Sequence, residues 1–402
     1  MRKTKYKSME SRAEINRRDL LKLGAGIGLL LGTPTTWAQE AQKPQPPARP
    51  KTNIDDALKI PKTEHSLPGP FPGRVVQVTD PGVHKEGKVQ PEVVNAMFEK
   101  GLKKLTGVNP KKSFKLFFDN KDIVGIKVNP VGPGIIATHL EVTDAVITWL
   151  TKSGLKREQI IIWDRFDYML RDAGYTAERF PGITIAGLQT MDDDAASGKS
   201  QDNSRWLKPD GTHVSAGNFD QEVFYWADVE GDKEAPYLNQ HVFDGKYSYF
   251  GKLVTQKLTR IINIPAFKNT GNGVSMATKN LGYAAICNTA RLHRPLFFDV
   301  CTEVLAFPAI RDKLVLNITD ALRGQYDGGP DGAAQFTYDM NSLFFATDPF
   351  ALDMVCHNLL VEKRKEMKVK INEHPRYTEY LRYAERLGLG IAAPEKISHV
   401  VV

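Results

Sequence analysis

The run "DIVGIKVN", residues 122–129, constrains this chain most. Apart from Lys127 it is nearly continuous in apolar residues. A strand of that kind suits burial on both faces, the situation of a parallel sheet covered by helices. The flanking sequence agrees. "PVGPG" turns the chain, "HLEVTDAVITWLTKSG" has helical spacing and stops at Gly154, and "QIIIWD" is a further strand. Together they predict a β-α-β unit with a right-handed connection. Before it, "RVVQVTD" reads as a strand and "PEVVNAMFEKGLKKLTG" as a helix ended by Gly107. After it, "LTRIINIPAF", "KLVLNITDA" and "NSLFFATD" read as strands. A helix is expected to begin within 275–290, and "PFALDMVCHNLLVEKRKEM" is a helix after the last strand. Residues 191–250 break the pattern: "MDDDAASGKSQDNSRWLKPDG" is polar and "DGKYSYFG" has turn chemistry. The expectation is an α/β fold, with a mostly parallel sheet flanked by helices and a polar insertion around 191–250 over one end of the sheet.

The N-terminus follows other rules. "RRDLLK" (Arg17 to Lys22) precedes a weakly apolar, glycine-rich run that ends in Thr36-Trp37-Ala38. This resembles a twin-arginine export signal, cut after Ala38. The apolar run is too short for a good membrane span, so no stable span is expected after cleavage. Residues 1–38 hold eight Lys or Arg against three Asp or Glu, so +5 of the formal +7 sits in the leader and +2 remains. That balance, with no basic run interleaved with aromatics, argues against nucleic acid as a partner. Residues 39–70 are Pro-rich and polar and read as an extended linker, with the folded part, a single α/β domain over 71–402, starting near Phe71. The expected setting is the periplasm, with the twin-arginine export machinery as a partner.

In an open parallel sheet, ligands bind beyond the carboxyl ends of the strands. The polar residues there are Asp80, Asn129, Asp164, Lys268, Asp320 and Asp348. Lys127 is odd inside its strand; a buried ammonium needs a carboxylate or a ligand, unless it snorkels to the sheet end. The stretch "FKNTGNGVSMATKN", residues 267–280, places Lys268 just past a strand and Lys279-Asn280 on the next helix. Backbone N–H groups at a helix start favour anions and lysine adds a point charge, so this is either an anion cradle or a solvated loop. The spacing is not that of a P-loop. His293 can serve as acid, base or ligand. Asp348 also reads as a helix cap ahead of Pro349. Asp353 and His357, four apart, read as a surface pair or as two metal ligands. Asp327 and Asp331, in "YDGGPDG", read as a turn or as ligands for a hard cation. Cys287, Cys301 and Cys356 form no C-x-x-C pair; buried free thiols are expected and an iron–sulfur cluster is not.

Taken together, "VGIKVN", "IINIPAFKNTGNGVSMATKNLGY", "RLHRP", "NITDA", "TDPFALD" and "YLRYAERLGLG" resemble the exported branch of domain-of-unknown-function family 362, over about residues 71–402. The resemblance implies an α/β domain in a bacterial cell envelope and supplies no reaction. Lys127, Asn129, Lys268, Lys279, Asn280, His293, Asp320, Asp348 and Asp353 fall on its recurring motif positions. Many relatives read Lys-x-His where this chain has Lys268-Asn269-Thr270, so that histidine is missing. Two classes of function stay open. One is an enzyme: Lys127, Asn129, Lys268, Lys279 and Asn280 hold an anionic small molecule, while His293, Asp320 and Asp348 handle protons, with a divalent metal possible. The other is a non-catalytic anion-binding or accessory protein serving a periplasmic redox partner.

Overall fold

The computed structural model describes residues 49–402 except 201, 203, 231–237 and 372–373. The twin-arginine reading and the first part of the linker lie outside the described residues. The rest of the linker is not extended. It contains helix α1 (Ile54–Lys59), whose Ile54 and Ala57 are buried, and Leu67 beyond it is also buried. Arg49 pairs with Asp299 and with the buried carboxylate of Glu303. The folded part therefore reaches back beyond Phe71 at least to Arg49, because apolar residues among the prolines dock on the domain.

From there the chain runs through β1 (Arg74–Thr79), the two-residue strands β2 (His84–Lys85) and β3 (Lys88–Val89), α2 (Pro91–Thr106) and α3 (Pro110–Phe117). Next come β4 (Val124–Val128), α4 (Leu140–Lys152), β5 (Ile160–Phe166), α5 (Asp167–Asp172) and β6 (Thr184–Gln189). The insertion contributes α6 (Asp193–Ala196), β7 (Phe219–Trp226) and β8 (Tyr247–Gly251); the two strands pair as a separate antiparallel ribbon. Then follow β9 (Arg260–Ile264), β10 (Ala266–Thr270), β11 (Gly273–Val274), α7 (Ala277–Gly282), α8 (Asp299–Ala306) and α9 (Pro308–Arg311). The chain closes with β12 (Leu314–Gln325), β13 (Thr337–Ala346), α10 (Pro349–Glu366), α11 (Arg376–Arg386) and β14 (Ser398–Val401).

The large sheet has the order β14-β1-β13-β12-β9-β4-β5-β6, with β10 also pairing β12. The β12-β9-β4-β5-β6 half is parallel, and β13 runs antiparallel to both its neighbours. The expected α/β fold is what the chain adopts. Both faces are covered. Ile126, Val128, Ile160, Ile162 and Ile262 pack with α2, α3 and α4 on one face. Ile161, Trp163 and Ile261 pack with α8, α9 and α11 on the other. Full burial of β4 and β5 is thus why their sequences are apolar without alternation.

Candidate functional site

Lys127 lies on the second of these faces, between Ile126 and Val128, which point to the first. Its side chain is 1% exposed. It donates to Asp164 Oδ1 at 2.5 Å, to the Val128 carbonyl at 2.6 Å and to Asn280 Oδ1 at 3.0 Å. Asn280 Nδ2 donates to Asn263 Oδ1 (2.8 Å), and Asn263 Nδ2 to Asn317 Oδ1 (2.9 Å). An unbroken polar chain therefore crosses the interior from β5 through α7 to β12. Burial lowers the Lys127 pKa, and Asp164 opposes that shift. Of the outcomes the sequence left open, a carboxylate, a ligand or snorkelling, the structure shows the first, a strand-end carboxylate on the neighbouring strand.

Lys268 is differently placed. The segment 267–274 was open to a loop reading, but it forms the hairpin β10–β11, and Phe267, Lys268, Asn269 and Thr270 are all buried. Lys268 donates to Asn129 Oδ1 at 2.9 Å and to the Val131 carbonyl at 3.0 Å. Among the described residues no carboxylate lies within 4.0 Å of it. Burial, then the neighbouring Lys279, bring its pKa down to about 7. Asn129 is held by its own loop: its N–H donates to Thr138 Oγ1, which in turn donates to the Ile264 carbonyl. That loop meets "YDGGPDG" at a glycine pair, where a Cβ on Gly132 would come within 3.1 Å of the Gly332 backbone. Gly132, at φ +84°, also needs the left-handed region.

Lys279, on α7, is partly exposed. Its ammonium lies 5.2 Å from the centre of the Tyr283 ring and 5.5 Å from that of Phe297, and like Lys268 it has no carboxylate within 4.0 Å among the described residues. Burial lowers its pKa, and Lys127 adds to the effect. The three lysines thus share one field, in which Asp164 is in ion-pair contact with Lys127 and Asp331 attracts Lys268 and Lys279 from beyond ion-pair distance. The start of α7 is not open to a ligand: Asp353, from α10, accepts from Ala277 N (2.8 Å), Thr278 N (2.9 Å) and Thr278 Oγ1 (2.6 Å). Asp353 is therefore a buried cap and not half of a surface pair, and burial raises its pKa to about 6.

His293 follows a 3-10 turn at Ala290–Leu292. Its Nδ1–H donates to the Thr289 carbonyl at 2.9 Å, which leaves Nε2 as an acceptor. The ring lies 4.6 Å from Tyr283 and 5.5 Å from Phe297, the aromatic pair that holds Lys279. Burial, then Lys279, lower its pKa to about 4, so it is neutral at physiological pH. A cavity of about 600 Å³ is lined by His293, Phe297 and Thr270, among others. A larger groove of about 860 Å³, beside α1 and β7, touches none of the three lysines.

Two expected site residues lie elsewhere. Asp320 sits on the opposite face, between Ile318 and Leu322, which pack with α4. Its carboxylate accepts from His139 Nδ1 at 2.8 Å and from His139 N at 2.6 Å. Burial works against the imidazolium, yet Asp320 raises the His139 pKa overall. Asp348 caps α10, accepting from Phe350 N (3.0 Å) and Ala351 N (3.1 Å), and it also binds Gly73 N and Ile391 N. All its acceptor positions serve backbone. Neither carboxylate joins the lysines. Asp327 pairs with Arg364 at 2.9 Å, and the three cysteines are buried and free. Among the described residues no group of three His, Cys, Asp or Glu is placed to hold a metal ion. No helix among them is long and apolar enough to cross a membrane.

Sequence reasoning missed Arg165, next to Asp164. It is buried, and its Nη1 donates to Thr289 Oγ1, the residue whose carbonyl holds His293. Among the described residues its Nε has no hydrogen-bond partner, and burial lowers its pKa to about 10. An arginine in the run "IIIWDRF" gives no signal of its own, since the pattern reads equally well as a strand end.

Residues 220–358 match the family described as Domain of unknown function (DUF362). The DUF362 segment contains Lys268, Lys279, Asn280 and His293, together with the capping and opposite-face carboxylates Asp348 and Asp320. Lys127, Asn129 and Asp164 lie outside it, so the lysine site joins the DUF362 segment to the β4–β5 unit before it. A comparison with curated proteins finds no match.

Proposed function

We propose that this protein is an exported cell-envelope enzyme that acts on an anionic small molecule held by Lys268 and Lys279. One observation carries the reading. Three buried or half-buried lysines share a field in which one carboxylate is in ion-pair contact, and that carboxylate is spent on Lys127. Such an excess of buried cation is costly without a counter-ion, and a bound anion supplies it. Lys127, Asn280 and Asn129 have a positioning role: Lys127 spends all three donors on the protein, Asn280 ties it to α7, and Asn129 Oδ1 holds Lys268 in place. Lys268, divided between ammonium and amine near pH 7, and His293, neutral with Nε2 free to accept, are the groups suited to moving a proton.

The test is calorimetric titration of the purified protein with inorganic phosphate and with acetate, repeated for Lys268→Met and Lys279→Met. A charge-assisted contact is typically worth about 1.5–3 kcal/mol, so each variant should bind roughly ten- to a hundredfold more weakly. Unchanged affinity in both variants would remove the cradle. Export rests on the leader alone: the Arg17→Lys, Arg18→Lys double variant should stay in the cytoplasm, and normal export of it would refute the twin-arginine route.

A further inference from the structure

We propose that the anion carries an aromatic ring, seated in the cavity beside the lysines; this rests on the anion-binding reading above. The cavity is walled by a continuous set of rings. Phe297 meets Phe298 edge-on at 4.8 Å, Phe298 stacks on Tyr380 at 5.1 Å, and Tyr377 meets Phe298 edge-on at 5.7 Å. Its volume of about 600 Å³ falls in the range of small-molecule sites.

The cavity is coupled to the cations through its own wall. Phe297 lines it and carries the cation–π contact of Lys279. His293 lines it and meets Phe297 at a tilt, with ring centres 5.5 Å apart. Thr270, at another edge, lies two residues along β10 from Lys268 and therefore on the same side of that strand. Arg376, exposed at the rim, donates to Tyr377 Oη at 2.9 Å. The lining also holds Asp299 and Glu379, so a ligand places its acid group at the His293 end, toward the wall that Phe297 shares with Lys279, and lays its remaining atoms along the ring-lined wall. Flat rings pair favourably with such faces, whereas a small aliphatic acid leaves them wet.

The experiment compares matched anions by calorimetry: phenylphosphonate against methylphosphonate, and benzoate against acetate. The aryl member of each pair should bind about tenfold more tightly, equivalent to about 1.4 kcal/mol. Tyr377→Leu should collapse that ratio toward one, whereas Lys268→Met should weaken both members of a pair and keep the ratio. Methylphosphonate binding by Tyr377→Leu doubles as the check that this variant is folded. If the methyl and phenyl compounds bind the wild-type protein equally, the aromatic preference is overturned and the anion site stands. If none of the four binds, both fall.

Discussion

Lys268→Met removes a charge that the fold accommodates at a loss. Folded, Lys268 has a pKa of about 7; an unfolded lysine titrates near its ordinary 10.5. At ~1.36 kcal/mol per pH unit, the gap is about 5 kcal/mol of destabilisation when both states are protonated, that is, below pH 7. Between pH 7 and 10.5 the unfolded chain holds the proton and the native chain does not, so native stability rises with pH. Above 10.5 the cost is gone. Methionine carries no charge and escapes this dependence. It also strips the donor from Asn129 Oδ1 and the Val131 carbonyl, a loss of about 1–3 kcal/mol. At pH 6 the variant should therefore be more stable by about 3 kcal/mol, a urea midpoint higher by roughly 1 M. As the pH rises toward 10.5 the advantage should shrink and reverse. The same variant should lose anion binding, so stability and function move in opposite directions. Urea unfolding at pH 6 and pH 10 decides the matter. A variant less stable than wild type at pH 6, by an amount that does not change at pH 10, would show that Lys268 is not a strained charge.

Asp164→Asn takes the counter-ion from a fully buried Lys127 and should cost about 3–5 kcal/mol; the added Lys127→Met change should restore part of it, read as a coupling energy by denaturation. Arg49→Met leaves the buried Glu303 with neutral hydroxyl partners, Tyr225, Tyr383 and Thr52, and should lower stability by about 2 kcal/mol, measurable as a lower melting temperature. Gly329→Ala drives a Cβ into the Asn269 carbonyl, so it should displace the "YDGGPDG" loop and weaken phosphate binding at pH 6. Anion affinity of the wild-type protein should fall as pH rises through about 7, where Lys268 loses its charge, and turnover should fall below about 4, where His293 gains one.

The sheet was legible because burial on both faces leaves a direct mark: runs such as "QIIIWD" have nowhere polar to point. Lys127 was legible for the inverse reason, since an ammonium in such a run must have a partner. The partner's identity was not, because the register that sets Lys127 opposite Trp163, with Asp164 one residue on, exists only once β4 and β5 pair. Face was the harder problem. The strand-end rule put Asp320 with the lysines, yet a strand's side chains alternate, and Asp320 took the α4 face with His139. Nothing in "THLEV" marks His139 as its partner. For Asp348 the sequence offered two explanations, and the local one holds: a carboxylate ahead of a proline caps a helix. The hairpin β10–β11 was hidden because its polar composition resembles a loop, and only long-range packing, against β12 on one side and α10 on another, buries it.

The contrast between the lysines separates structure from function. Lys127 makes three contacts to acceptors, one of them a carboxylate, and feeds an amide chain that ends at the carbonyls of β13 and its exit, Ala346 and Thr347. A group so saturated has no donor left to offer a ligand. Lys268 meets two neutral oxygens, and Lys279 meets two ring faces. If these charges served the fold, a carboxylate in place of Asn129 would relieve both burial and repulsion at little steric cost. An amide there holds the ammonium in position yet leaves it without a contacting carboxylate, Asp331 and Asp164 acting only from farther off, the arrangement that favours a visiting anion over a resident one. Asn129→Asp tests this directly. The internal carboxylate should raise the Lys268 pKa, stabilise the protein near neutral pH and compete with phosphate, lowering its affinity by tenfold or more. Phosphate binding that survives the added carboxylate unchanged would mean that the anion does not depend on Lys268.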